Sequence, residues 1–311
     1  MYYPYFRGKQ YELITIRESA FTFAQSNFVP IIEPVRSRLS GLNKALDTLC
    51  EAGAEAILIT NPQVGDFKDD HSDLTKFFNE NCTGKRNLIQ GILLSEQTSI
   101  DEAIRLCHEF DQNVALIHNG FTQASSLANN INNDERVKTH VFIENRSGKL
   151  YQEHFKDHPN QILIRDGFEK RRNSDYPESE FFSELHKTYD LEGMHGFGDF
   201  LMVGKQYSES GGPAYAVAIH LTYIDDSRNE EMHIRHFISD RRDTPVDPAG
   251  KFSEALSQLI TTVNQNNSDI LTTSAVKEFN NLHQKKHFRG LGHVKKLSML
   301  HHIETLSQFF V

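Results

Sequence analysis

Long apolar stretches are absent from this 311-residue chain, and so is a signal for export. No run of about 18 apolar residues occurs, so the sequence does not predict a membrane-spanning helix. The N-terminus also lacks a basic segment followed by a long apolar one, the pattern that marks a secretory signal. We therefore expect a soluble protein of the cytoplasm.

Cysteine is scarce, and its spacing is not that of a metal site. The three cysteines are Cys50, Cys82 and Cys107. Cys50 and Cys107 fall at apolar positions of predicted helices, which is typical of reduced thiols in a protein core. We predict that all three are reduced.

Basic charge is in short supply as well. The chain has 33 Lys and Arg against 42 Asp and Glu, a formal net charge of −9. This balance argues against a protein whose whole surface binds nucleic acid or an anionic membrane, although local basic patches remain allowed. With 38% hydrophobic residues, the chain is long enough for one large domain with an appendage.

The chain does contain a repeat, in which an apolar run ends in polar residues and leads into a helical or loop segment. The eight runs are Tyr2 to Phe6, Val29 to Ile32, Ala56 to Thr60, Leu88 to Leu94, Val114 to Ile117, His140 to Ile143, Gln161 to Ile164 and Phe200 to Val203. Eight is the number that a (β/α)8 barrel needs. The second run is apolar on successive residues, which is typical of a parallel strand buried on both faces. We therefore predict an α/β fold, a (β/α)8 TIM-like barrel.

The rest of the chain is predicted to add a β-hairpin and a C-terminal helical extension. We place the barrel at residues 1–264, including a hairpin at about 214–238, and a helical extension with a basic segment at 265–311. The charged segment 168–177 is a candidate active-site loop, because long loops are commonly functional. Three helices are predicted near Ser179 to Tyr189, Ala275 to His283 and Leu297 to Phe310.

Several segments resemble one group of bacterial proteins. They are Met1–Leu13, Pro30–Val35, Gly196–Phe200, Ala216–Tyr223 and Ile234–Phe237. Over most of its length the chain resembles bacterial proteins related to the "beta protein" family of bacteria and phages. The resemblance implies the TIM-like architecture and no particular reaction. Because some relatives are associated with mobile elements or phage defence, it also suggests a role in a defence module, which is an association and not a mechanism.

Carboxylates follow three of the predicted strands, at the rim where such barrels place their chemistry. Glu33, Glu144 and Asp166 could together hold a divalent cation such as Mg²⁺ through oxygen ligands, and adding His118 would suit Mn²⁺ or Zn²⁺ better. The same carboxylates could instead pair with rim cations in a structural network. No compact ligand motif such as His-Glu-x-x-His is present.

Basic side chains at the same rim predict a binding site for an anionic group of the substrate. Arg7, Lys9, Arg165 and Lys205 could bind phosphate or carboxylate, with Asn61 as a further substrate contact. Lys205 follows the eighth run, and the last strands of such barrels often supply a phosphate site.

Acid–base chemistry is assigned to four rim residues. Glu144 or His118 could exchange a proton if the surroundings bring its pKa near the working pH. Asp166 could hold a metal or move a proton, and His118 or Asn145 could polarise the reacting bond. A lone histidine at a strand end is, however, more often a hydrogen-bonded structural residue.

Three histidines of the predicted hairpin, His220, His233 and His236, do not form a ligand trio in this interpretation. His233 and His236 take opposite faces of one strand, because side chains alternate along a strand.

Two functions compete at this point. The leading hypothesis is a TIM-barrel enzyme, a hydrolase, that acts on an anionic small molecule by acid–base or metal-assisted hydrolysis at the rim. The alternative is a non-catalytic barrel that binds a protein or nucleic-acid partner through the hairpin and a basic cluster. The basic cluster consists of Lys285, Lys286, Arg289, Lys295 and Lys296. A solvated loop docked on the acidic barrel is a further interpretation of that cluster.

Overall fold

The computed structural model describes residues 1–209 and 211–310, which divide into two compact units. The first unit, called the barrel unit, comprises Met1–Asp166 and Leu185–Phe200. The second, called the hairpin unit, comprises Gly167–Glu184 and the described chain from Leu201 onward. The hairpin, which the sequence analysis included in the barrel domain, therefore lies in the same unit as the C-terminal helices.

Eight parallel strands form the sheet of the barrel unit. In spatial order they are β1 (Tyr5–Phe6), β2 (Ile31–Ile32), β3 (Ala56–Ile59), β4 (Leu88–Ser95), β5 (Val114–Asn119), β6 (Val137–Ile143), β7 (Gln161–Ile164) and β9 (Gly196–Gly198), while β8 (Ser179–Ser183) belongs to the hairpin unit. The sheet closes almost completely, because Tyr2 bridges Phe197 and the Tyr3 amide donates to the Phe197 carbonyl at 2.7 Å. The prediction of a (β/α)8 TIM-like barrel is confirmed.

Helices follow most of these strands, as the repeat predicts. They are α1 (Gln10–Glu18), α2 (Ala20–Ser26), α3 (Ser40–Ala52), α4 (Ser72–Asn81), α5 (Ile100–Cys107), α6 (Ala124–Ile131), α7 (Lys149–Gln152) and α8 (Leu185–Thr188). Local signals fix several ends. Gly53 stops α3 with a left-handed φ of 75°, and the Ser99 side chain caps α5 by accepting the Glu102 amide at 3.2 Å.

The barrel interior is filled by side chains from seven of the eight strands. Successive strands contribute Tyr5, Ile31, Ile59, Leu93, Ile117, Ile143 and Ile164, all buried in one cluster. These residues alternate with outward-facing ones, as expected for barrel strands. The interior is therefore a packed apolar core, and polar chemistry can begin only where the strands end.

The eighth strand is not where the sequence analysis placed it. The run Phe200 to Val203 is wrong as a strand, since Leu201–Val203 forms a 3-10 turn and the strand is Gly196–Gly198. Two of its three residues are glycine, so it has almost no apolar side chains to detect. Glycine is needed there because a Cβ on Gly198 would lie 2.0 Å from the Tyr3 carbonyl oxygen. The close approach of its backbone to Tyr3 therefore explains the composition of this strand, which hydrophobicity does not.

The hairpin unit contains a three-stranded antiparallel sheet and three helices. Strands β10 (Ala218–Asp225) and β11 (Glu231–Ile238) form the predicted hairpin, which is confirmed, and β8 pairs with β11. The helices are α9 (Pro248–Val263), α10 (Ser274–Lys285) and α11 (Leu291–Phe309). Their apolar faces share one core with the hairpin, including Leu221, Phe252, Phe279 and Leu297.

Two helix predictions in this region need correction. The helix predicted near Ser179 to Tyr189 is wrong in its first half, because Ser179–Ser183 pairs with β11 as a strand before the short helix α8. The last helix begins at Leu291 and not near Leu297, so Lys295 and Lys296 lie within it. In the first case, pairing with β11 outweighs local sequence preference. In the described chain, no helix is both long and apolar enough to cross a membrane.

Barrel closure gives a direct test at Gly198. Alanine there would force its methyl group against the Tyr3 carbonyl, and we expect Gly198→Ala to lower the free energy of unfolding by about 1–3 kcal/mol. Gly148→Ala is the matched control, because a Cβ at Gly148 meets nothing within 4 Å. Urea unfolding of both variants measures the difference. Equal midpoints would show that the close approach of these two segments does not stabilise the barrel.

Candidate functional site

The alternation of side chains identifies the residues at the mouth of the barrel. Five core residues, Tyr5, Ile31, Ile59, Leu93 and Ile117, point inward. Two positions further along each strand, the inward-facing residues are Arg7, Glu33, Asn61, Ser95 and Asn119. These five polar residues form the first layer above the apolar core, at the end of the barrel where such folds carry their chemistry. We call them the mouth layer.

Glu33 is the most completely held member of the mouth layer. Its carboxylate is fully buried, with 0% of the side chain exposed. The Tyr5 hydroxyl donates to Oε2 at 2.7 Å, the Arg7 Nη1 donates to the same oxygen, and the Gln63 amide donates to Oε1 at 3.1 Å. Three donors from two separate segments therefore converge on one buried carboxylate.

Arg7 is fixed by this carboxylate and by two aromatic rings. Its guanidinium carbon lies 5.2 Å from the centre of the Tyr5 ring and 5.7 Å from that of Phe200. Burial alone would lower the pKa of Arg7, but Glu33 and other nearby anionic groups outweigh this and raise it, so the group stays charged. Gly8 follows with a φ of 62°, and a Cβ there would lie 3.1 Å from the Glu33 carbonyl oxygen. Glycine thus allows the chain to turn tightly beside Glu33.

The two asparagines of the mouth layer differ in what they bind. Asn61 bonds the main chain of Leu93 twice, donating to its carbonyl at 3.0 Å and accepting its amide at 2.8 Å. It therefore extends the pairing of β3 with β4. Asn119, in contrast, has a buried Oδ1 with no hydrogen-bond partner among the described residues. A buried carbonyl left in this way costs about 1–3 kcal/mol, and a ligand donor would remove that cost.

The sequence analysis did not select Asn119 as a site residue. It chose polar residues by their position just after each run, and His118 was the more reactive side chain at the end of β5. The alternation of side chains along β5 would have identified Asn119. Ile117 and Asn119 share the inward face of the strand, while His118 lies on the other face.

Glu144 and Arg165 lie on the outer side of the same rim. Each follows an inward-facing core residue, Ile143 or Ile164, so alternation turns it outward. Arg165 Nε and Nη2 both lie 2.8 Å from Glu144 Oε1, and Arg165 also lies 3.6 Å from Glu192. The structural ion-pair network that the sequence analysis considered as an alternative is therefore present here, as it is between Arg7 and Glu33.

The three carboxylates proposed as metal ligands have separate surroundings. Glu33 is buried among protein donors, Glu144 belongs to the outer network, and Asp166 is exposed at the end of β7. Within the described ranges, no group of three or more His, Cys, Asp or Glu side chains is arranged to hold a metal ion. Metal binding by these residues stays a prediction that this geometry does not support.

His118 is buried on the outer face of β5, covered by the segment that contains α7. Its Nδ1 lies 2.6 Å from the Tyr151 hydroxyl and its Nε2 lies 3.0 Å from Nδ1 of His140. Rings of Phe142 and Phe155 pack against it at 4.8 Å. Burial, followed by the nearby His158, lowers the pKa of His118 to about 3. The residue is thus neutral near pH 7 and lies outside the mouth layer.

The other predicted rim residues have distinct positions. Lys9 precedes α1, where its backbone amide bonds Glu12 Oε2 at 3.4 Å. Asn145 is exposed after β6 with a left-handed φ of 63°. Lys205 belongs to the hairpin unit, so its predicted place directly after the eighth strand is wrong, because that strand ends at Gly198.

The basic cluster spans the end of α10, a connecting turn and the start of α11. Lys285, Lys286, Arg289 and Lys295 are exposed, whereas Lys296 is buried. Arg289 Nη1 also lies 3.7 Å from Glu278. The cluster therefore presents fewer solvated cations than its sequence indicates.

Comparison with known proteins adds no family to this description. Neither a protein-family model nor a curated protein sequence matches the chain. The resemblance to the "beta protein" family stays a prediction. The class that the structure itself defines is a (β/α)8 TIM-like barrel with an additional hairpin unit.

The buried pair of Arg7 and Glu33 makes a prediction about stability. Arg7→Met leaves the Glu33 carboxylate buried without its cation, and we expect a loss of about 3–5 kcal/mol in the free energy of unfolding. The double variant Arg7→Met/Glu33→Gln removes both charges and should recover most of that loss. Urea unfolding of four proteins, the native one, Arg7→Met, Glu33→Gln and the double variant, measures the coupling. Additive losses would show that the two residues do not stabilise each other.

The environment of His118 makes a prediction about pH. An unfolded histidine has a pKa near 6.5, so the folded state with its lower pKa binds fewer protons below that value, and stability falls as the pH decreases. Between pH 7 and pH 5 His118 alone should account for a loss of about 2 kcal/mol. Urea unfolding monitored by circular dichroism at both pH values measures the total. His118→Phe should reduce this pH dependence, and an unchanged dependence would contradict the assignment.

Proposed function

We propose that the mouth of the barrel binds a small molecule through a carboxylate or phosphate group held by Arg7. The observation that carries this proposal is the arrangement of Arg7, Glu33 and Tyr5 directly above the apolar core. Glu33 binds the Arg7 guanidinium through Nη1. The planar fork of a guanidinium matches the two oxygens of a carboxylate or phosphate.

Energetics also support a functional role for this pair. Replacing a buried ion pair with apolar residues of similar volume is often neutral or stabilising, so a buried pair is weak evidence for stability alone. Here three donors hold Glu33 in place, and two rings orient Arg7. A cation with a fixed orientation loses little further freedom when an anion binds.

We further propose that the site carries out an acid–base hydrolysis, with Asp166 exchanging the proton. Asp166 is exposed two residues beyond the inward-facing Ile164, so alternation points it towards the mouth. Glu33 is less suited to this role, because its oxygens accept bonds from Tyr5, Arg7 and a backbone amide. Asn119 would supply a polar contact that orients the ligand.

The competing function, partner binding through the basic cluster, has less support. Lys296 is buried and Arg289 lies near Glu278, so two of its five cations are already engaged or covered. Partner binding and a role in phage defence both stay predictions.

Anion binding can be tested with inorganic phosphate and succinate as probes. We expect either probe to raise the melting temperature of the native protein, and Arg7→Met/Glu33→Gln to abolish this stabilisation while still folding. Arg165→Met is the matched control, because it removes an arginine from the outer network and should leave the shift unchanged. The absence of a shift at 20 mM probe in the native protein, or an equal shift in the double variant, would refute the proposal.

The hydrolytic step can be tested by screening the native protein against phosphoesters and carboxylate-bearing esters. For any substrate found, Asp166→Asn should lower kcat by about 100-fold or more with a small change in KM, because only proton exchange is lost. Glu144→Gln provides the comparison, since its carboxylate lies in the outer network. If Glu144→Gln abolishes turnover and Asp166→Asn does not, the proton-exchange role belongs to Glu144.

A further inference from the structure

A chain of hydrogen-bonded titratable side chains crosses the sheet of the hairpin unit. His220 and His236 lie directly opposite each other in the β10–β11 pairing, and their Nδ1 atoms are 2.7 Å apart. On the neighbouring strand β8, Glu180 Oε1 lies 3.1 Å from Nε2 of His236. Arg171 Nη1 donates to both oxygens of Glu180, at 2.8 and 2.7 Å. Three strands thus align one carboxylate and two imidazoles.

Elementary hydrogen-bond rules fix the direction of this chain. An ionised carboxylate only accepts, so Nε2 of His236 must carry the hydrogen in its bond to Glu180. Neutral His236 then has a bare Nδ1, which accepts the Nδ1 hydrogen of His220. Neutral His220 is consequently left with a lone pair on Nε2. A proton taken up there would be stabilised through His236 by the charge of Glu180, as in a catalytic triad.

Aromatic rings and burial hold this geometry. The Tyr176 ring stacks on His236 at 4.6 Å and meets His220 at 4.8 Å, while Phe168 contacts His220 edge-on at 5.2 Å. The side chain of His236 is fully buried, whereas His220 is partly exposed. Burial, then His236 and Lys295, hold the pKa of His220 well below its ordinary value, so it is unprotonated near pH 7.

The third histidine of the hairpin is not part of this arrangement. His233 lies opposite Tyr223 and its Nε2 is 3.2 Å from Glu231. It therefore has a carboxylate partner of its own but no second imidazole, and it serves as an internal control for the argument.

We propose that Glu180, His236 and His220 form a proton relay in which His220 is the general base of a second reactive site, one that activates water for hydrolysis. With an ester as the probe, His220 Nε2 would take a proton from water as the water oxygen bonds to the ester carbonyl carbon. The carbon–oxygen bond to the leaving group then breaks, and the same proton passes from His220 to the departing alkoxide, giving an acid and an alcohol. Glu180 and His236 act as positioning residues. This site is independent of the anion site proposed for the barrel mouth.

The test uses the full chain with p-nitrophenyl acetate as the ester probe between pH 5 and 8. We expect His220→Gln to lower the rate of p-nitrophenolate release by about 100-fold, as for the loss of a general base. His233→Gln should leave the rate within about twofold. Glu180→Gln should lower the rate and move the pH midpoint of the profile downward, because the charge that stabilises protonated His220 is lost.

A second measurement does not depend on turnover or on the folding of any variant. ¹⁵N chemical shifts of histidine-labelled native protein report which ring nitrogen carries hydrogen. The relay requires Nδ1–H on His220 and Nε2–H on His236 at pH 7.5. Hydrogen on Nε2 of His220, or unchanged hydrolysis in a folded His220→Gln variant, would overturn the proposal.

Discussion

The barrel depends on main-chain contact between its first residues and its last strand. The amides of Tyr3 and Tyr5 donate to the carbonyls of Phe197 and Asp199, and the Phe197 amide donates to the Met1 carbonyl. Glycine at positions 196 and 198 lets the two segments approach closely enough for these bonds. Because closure removes the two exposed edges of the sheet, it also fixes the ring of strand ends on which every mouth residue is placed.

At the mouth of the barrel, the polar side chains form a layer directly above the apolar interior. The inner layer holds Arg7 and Glu33 as a nearly neutral pair, while Glu144 and Arg165 form a separate network on the outer side. The rim is therefore not one large charged surface, although its sequence is rich in charged residues. The orientation of each strand end decides which charges a ligand could meet.

Much of the architecture could be predicted from the sequence, because buried parallel strands are continuous apolar runs and seven of the eight runs coincide with strands. The eighth strand, Gly196–Gly198, was not predicted, because it lies too close to the backbone of residues 1–3 for side chains larger than glycine at positions 196 and 198. Within the site, Arg7 and Glu33 were found because each comes directly after an apolar run. Alternation turns both inward, since they lie two positions beyond the inward-facing Tyr5 and Ile31. His118 and Glu144 were selected by reactivity and proximity to the rim, although alternation turns both outward. The hydrogen bonds between His220, His236 and Glu180 depend on cross-strand register, which no single strand encodes.

The closing contacts also constrain the order in which the chain can fold. Tyr2 and its partner Asp199 are 197 positions apart, and residues 167–184 of the other unit lie between them in the sequence. During synthesis, the first strands must wait with an open edge until residue 199 has left the ribosome. The barrel can then close before most of the hairpin unit has been made, with residues 167–184 held as a loop until β11 arrives to pair with β8. Vectorial synthesis thus favours the barrel unit as the first to become complete.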